Sequence, residues 1–164
     1  MPAVTAVFPG SFNPFTLGHD DIVRRATALF DRVVIAVGTN SSKAGVPPVE
    51  ERVAAVQEAT ADLAAVEVRP LTGLLVDLCA EVGAKAIVKG VRNGADVDYE
   101  FGMAQMNAHI ADVETVLLPT APQWAFVSST LVREVHRFGG DVRDLVPAAI
   151  LKRLTTPSEG THEH

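Results

Sequence analysis

A single cysteine, Cys79, occurs in 164 residues, which excludes an intrachain disulfide framework and favours an intracellular setting. Its neighbourhood, LLVDLCAEVG, reads as a buried apolar helix position rather than a reactive thiol. No uncharged 18-residue stretch has the continuous apolar character of a membrane span. The first residues also lack a positive leader followed by a long apolar region, so the expectation is a cytoplasmic protein with no membrane partner. Positive charge is scarce too. Fourteen Lys and Arg stand against 20 Asp and Glu, giving a formal net charge of -6 and a pI near 5.3. That balance argues against a broad nucleic-acid-binding surface but leaves room for a local positive pocket that takes phosphates. Neither a repeat of fixed length nor a low-complexity linker divides the chain. With 48% hydrophobic residues it can bury one substantial core, so a single domain over residues 1–156 and a mobile tail over 157–164 are expected.

What is present is organised around residues 7–20, VFPGSFNPFTLGHD. A hydrophobic run ends in Pro9-Gly10, a short hydroxyl-bearing loop follows, and TLGH leads into a helical pattern. This is the pattern of the first strand-to-helix crossing of an α/β domain. The helix start offers unpaired amides and a positive dipole end to an anion, and His19 in the first turn can reach the same ligand.

The remaining chain alternates strand and helix patterns. Strands are expected near residues 6–8, 32–38, 66–68, 84–88 and 113–118. Helices are expected over 19–30, 50–63, 74–82, 97–110 and 128–138, with one or two short C-terminal helices within 141–154, divided near Pro147. The nearly continuous apolar run VVIAVG suits a parallel strand covered on both faces. The fold class is therefore α/β: an open parallel sheet of about five strands with helices on both faces and C-terminal helices.

In such sheets ligands collect beyond the carboxyl ends of the strands. Ser11 and His19, Lys43, Lys89 and Arg92, and the hydroxyls of Ser128, Ser129 and Thr130 all follow different strands. Lys89 and Arg92 are expected in a mobile turn just past the fourth strand. Ser11 alone reads equally as a loop-stabilising hydroxyl, His19 as a capping residue near Asp20 and Asp21, and each cation as a solvated surface charge. Gathered in one pocket, they would position phosphates for phosphoryl transfer without a covalent protein intermediate. Asp96, Asp98 and Glu100 read more readily as a solvated helix face than as a metal site, with Glu100 also able to accept bonds from a ribose or to order a cation.

The ordered set GSFNPFTLGH, the Lys43 loop, KGVRNGADVDYE, MAQMNAHI and WAFVSSTLVREV closely resembles the bacterial phosphopantetheine adenylyltransferases of the nucleotidylyltransferase superfamily, from about Ala6 to Leu154. The resemblance implies a Rossmann-like fold, a homohexamer, and the reaction of ATP with 4'-phosphopantetheine to give dephospho-coenzyme A and pyrophosphate. It implies that His19, Lys43 and Arg92 act in catalysis and that Ser11, Lys43, Leu75 and Lys89 meet phosphopantetheine. It assigns ATP to Ser11, Phe12, His19, Gly90, Val91, Arg92, Glu100, Trp124, Ala125, Phe126, Val127, Ser128, Ser129 and Thr130. Magnesium accompanying ATP is the implied cofactor, with no metal ligands supplied by the chain, and coenzyme A is a candidate inhibitor. Asn13, Lys89, Asp98 and Arg133 stand where the family commonly has aspartate, arginine, glutamate and lysine. A cytidylyl- or nicotinate-mononucleotide adenylyltransferase and a non-enzymatic nucleotide sensor are the alternative readings.

Overall fold

A computed structural model describes residues 2–39 and 45–155 of the chain. Lys43 and the tail from residue 156 onward lie outside the described residues. The elements run β1 (Thr5–Gly10), α1 (Leu17–Leu29), β2 (Arg32–Gly38), α2 (Val49–Ala59), β3 (Val66–Leu71), α3 (Leu75–Val82), β4 (Ala84–Val91), α4 (Gly94–Ala111) and β5 (Glu114–Pro119). A short 3₁₀ turn (Pro122–Trp124), α5 (Ser129–Arg137) and α6 (Ala148–Thr155) complete the described chain. No helix among the described residues is long and apolar enough to cross a membrane.

The strand order is β3-β2-β1-β4-β5, and every neighbouring pair is parallel. Strands added after β1 first step to one side and then cross back, so the topology reverses between β1 and β4, at the centre of the sheet. Alternation along the strands divides the core in two. Phe8, Ile35, Val37 and Val88 point into one layer with Phe15, Ile22 and Val23, whereas Val7, Val34, Ala36 and Ile87 face Leu78, Cys79 and Val82. In β2 five consecutive residues, Val33 to Val37, are fully buried, as a centrally placed parallel strand requires. Cys79 lies in the second layer, where burial pushes its thiol pKa up.

Several boundaries differ from the sequence expectation, each for a local reason. β4 continues to Val91, so Lys89, Gly90 and Val91 belong to a strand rather than a mobile turn; pairing Lys89 with Leu117 and Val91 with Pro119 extends it. β3 likewise runs on through Arg69 and Pro70 to Leu71. Pro70 is tolerated because β3 borders the sheet, and β5, the other outer strand, ends in Pro119. α2 stops at Ala59 rather than Leu63: Thr60 makes the last bond of helical spacing, to the Val56 carbonyl, and the amides of Ala61 and Leu63 then reach back only three residues, to Glu58 and Thr60, in turns. α4 begins three residues before Val97, at Gly94, where the Asn93 side chain accepts from the Asp96 amide. One C-terminal helix forms, after Pro147, while residues 142–145 make a turn.

One buried side chain joins three segments at the carboxyl end of the sheet. Arg52 in α2, 5% exposed, donates to the carbonyls of Ser11 at 2.7 Å, Gly38 at 2.7 Å and Pro47 at 3.0 Å. The first crossing, the end of β2 and the start of α2 are thereby tied together. Truncation in Arg52→Ala leaves these acceptors unpaired and is expected to lower unfolding stability by about 2–4 kcal/mol. Urea denaturation measures this, and a variant within about 0.5 kcal/mol of the parent would refute it.

Candidate active site

A cavity of about 340 Å³ opens at the carboxyl ends of β1 and β4, where the topology reverses. Its floor is glycine because the backbone meets other atoms closely there. A Cβ on Gly10 would lie 2.9 Å from the Phe12 ring, and one on Gly90 would lie 2.9 Å from Cγ1 of Ile22. Phe12 itself adopts a left-handed backbone, φ 46°, which is uncommon for a bulky residue and directs its buried ring beneath Gly10. The next peptide bond but one, Asn13–Pro14, is cis.

His19 is held by the start of α1. Thr16 caps the helix by accepting from the His19 amide at 3.3 Å, and the Thr16 amide donates to Nδ1 of His19 at 2.9 Å. An amide can only donate, so Nδ1 carries no proton and the neutral ring bears its hydrogen on Nε2. The ring packs among Phe15, Phe12 and Phe8 at centroid distances of 5.6, 5.1 and 6.4 Å, leaving part of its surface to the cavity. Burial, followed by the charges of Arg92 and Lys89, lowers its pKa to about 4. At neutral pH His19 is therefore a hydrogen-bond donor rather than a cation.

The two described cations of the wall are each met by a carboxylate from α4. Lys89 Nζ lies 3.2 Å from Glu100, and Arg92 Nε lies 3.3 Å from Asp96. Opposite them, α5 presents its N-terminus, with Ser128 accepting from the Leu131 amide and lining the cavity. The Ser129 hydroxyl donates to the Pro14 carbonyl at 2.8 Å, and Arg133 donates to the Asn13 carbonyl. These bonds fasten α5 to the loop after β1.

Of the expected residues, Phe12, His19, Lys89, Gly90, Arg92, Glu100, Val127, Ser128 and Ser129 line this cavity. Ser11 is exposed and does not line it; the Ser11 carbonyl, not the hydroxyl, has the defined partner, Arg52. Leu75 opens α3, Val91 is buried at the end of β4, and neither lines the cavity. Trp124 packs against the larger core, while Ala125, Phe126 and Thr130 stay outside the lining and Phe126 is exposed. Sequence reasoning did not single out Tyr99 and Thr120, and it read Asp96 as a solvated charge or, less readily, a metal ligand, although the four-residue spacing from Arg92 was a pairing signal. No group of three or more His, Cys, Asp or Glu side chains among the described residues is arranged to hold a metal ion.

A parallel sheet reversing at its centre, with two helix N-termini and two cations around one cavity, defines a nucleotidylyltransferase-type domain, and the cytidylyltransferase-like family model matches residues 7–135. A Nocardioides sp. relative is 56% identical over 91% of this chain and 94% of its own length, and one from Micrococcus luteus is 49% identical over 91% and 96%. Both are named phosphopantetheine adenylyltransferase, and the chain belongs to that family. A Vibrio parahaemolyticus structure assigned as a nicotinate-nucleotide adenylyltransferase superposes with a TM-score of 0.72 over 93% of this chain and 92% of that one, and at 19% identity it shows the shared fold.

The depressed pKa of His19 fixes the sign of one pH dependence. Between about pH 6.5 and 4 the unfolded chain binds a proton at His19 that the folded chain does not. Stability contributed by this group is present above that window and lost as the pH falls through it. Denaturation at pH 7 and pH 5 should therefore show the parent losing stability that His19→Gln does not lose. Equal losses in the two proteins would refute the neutral assignment.

Proposed function

We infer that the chain transfers the adenylyl group of ATP to 4'-phosphopantetheine, releasing dephospho-coenzyme A and pyrophosphate. The observation that carries this reading is the 49–56% identity over nine-tenths of the chain to two relatives bearing that enzyme's name. In the reaction a phosphate oxygen of phosphopantetheine attacks the α-phosphorus of ATP, the new P–O bond forms, and the bond to the pyrophosphate oxygen breaks. The attacking phosphate is already anionic, so no protein base is needed.

The chain contributes position and charge. The Nε2–H of His19 donates to a phosphate oxygen whose charge grows in the transition state, Lys89 turns from Glu100 to share phosphate oxygens, and Arg92 offers them its terminal amino groups. Lys43 belongs to this reading as a further cation, on the phosphopantetheine side with Ser11 and Leu75, and the residues from Trp124 to Thr130 flank the nucleotide. Magnesium enters with ATP, held by phosphate oxygens and water, and supplies charge neutralisation when bound. The reading extends to a cytoplasmic homohexamer inhibited by coenzyme A. Assembly has support in α4, where Phe101, Met103, Met106 and Ile110 are each more than half exposed on a long, apolar helix.

Purified protein given magnesium, ATP and 4'-phosphopantetheine should yield pyrophosphate and dephospho-coenzyme A in equal amounts. Absence of both products, or turnover of nicotinate mononucleotide instead, would overturn the assignment. His19→Ala should lower kcat by about 10²-fold, in the range for removing one donor to a developing oxyanion, while the fold remains intact by circular dichroism. A folded variant with parental kcat would remove His19 from the chemistry.

A further inference from the structure

The two cations of the cavity wall are held in different ways. Lys89 meets Glu100 through one nitrogen at the tip of a flexible stem. Arg92 is gripped at two places by one atom: Oδ2 of Asp96 accepts from the Arg92 backbone amide at 2.8 Å and from its Nε at 3.3 Å. Asp96 is itself located by the turn it closes, because its amide donates to the Asn93 side chain at 3.0 Å. The chain between β4 and α4 is thus folded around a single carboxylate oxygen. With Nε occupied, Arg92 keeps both terminal amino groups for a planar, two-oxygen grip on an anion.

This arrangement answers a physical problem. Arg92 sits in the short link past the last residue of β4, its side chain about one-third exposed, where a long side chain would otherwise sample many rotamers. Phosphoryl transfer tolerates little error in where charge is placed. We propose that Asp96 is a positioning residue: it sets the direction of the Arg92 guanidinium so that its two terminal nitrogens face the reacting phosphates. The role rests on the adenylyl-transfer reading above and adds to it a residue which that reading leaves unassigned.

A purely structural role, closing the first turn of α4, would cost stability without regard to Arg92. The two are separated by a set of variants assayed for pyrophosphate release alongside melting temperature. Asp96→Ala should lower kcat/KM by about tenfold or more. Asp96→Asn keeps an oxygen acceptor in the same place and should stay within about threefold of the parent, whereas Asp96→Glu, which keeps the charge but moves the acceptor, should fall with the alanine variant. In an Arg92→Ala background, adding Asp96→Ala should change kcat/KM no further, since the group being aimed is gone. Parental activity in Asp96→Ala, equal losses in the asparagine and alanine variants, or additive losses in the double variant would each overturn the proposal. A parent without turnover would instead sink the adenylyl-transfer reading, so the two failures are distinguishable.

Discussion

The reciprocal hydrogen bonds between Thr16 and His19 couple the start of the first helix to the state of a cavity side chain. A helix N-terminus must satisfy amides that have no partner within the helix, and here one of them is satisfied by the hydroxyl of Thr16. The return bond, from the Thr16 amide to Nδ1, settles which nitrogen of His19 carries the proton. Capping, burial among three phenylalanines and nearby positive charge then act in one direction, toward a neutral imidazole. The same turn that begins α1 therefore supplies the cavity with a donor that does not add to its charge.

The charge balance of the wall follows a similar economy. Lys89 and Arg92 rest against Glu100 and Asp96, which lie one turn apart on α4. Without substrate the two positive groups are compensated rather than left repelling each other. Anionic reactants meet cations already oriented toward the cavity, competing with Glu100 for Lys89 and meeting the free terminal amino groups of Arg92, so less ordering remains to be done on binding.

Much of this architecture was legible beforehand, for identifiable reasons. The run VVIAVG marked β2 with its observed limits because burial on both faces leaves an unbroken apolar signature. The extension of β4 past Val88 was hidden, since Lys89 and Gly90 do not look like strand residues and are kept there by pairing with β5, a partner distant in sequence. In the cavity, the convergence of His19, Lys89 and Arg92 could be read from their positions near the carboxyl ends of strands. What Ser11 does could not, because its defined contact uses a backbone carbonyl, which every residue possesses. Arg52 escaped notice for the converse reason: a charged residue in an amphipathic helix looks solvent-facing until three carbonyls are seen to surround it.

The prolines of the outer strands carry a consequence for how copies of the chain can meet. Pro70 in β3 and Pro119 in β5 interrupt the rows of amide hydrogens along both borders of the sheet. A border with a missing donor is a poor template for a further strand, so the sheet resists being lengthened by a neighbour. Growth of any assembly is thereby steered away from strand addition and toward the flanks of the helices, where shape and apolar area decide the fit.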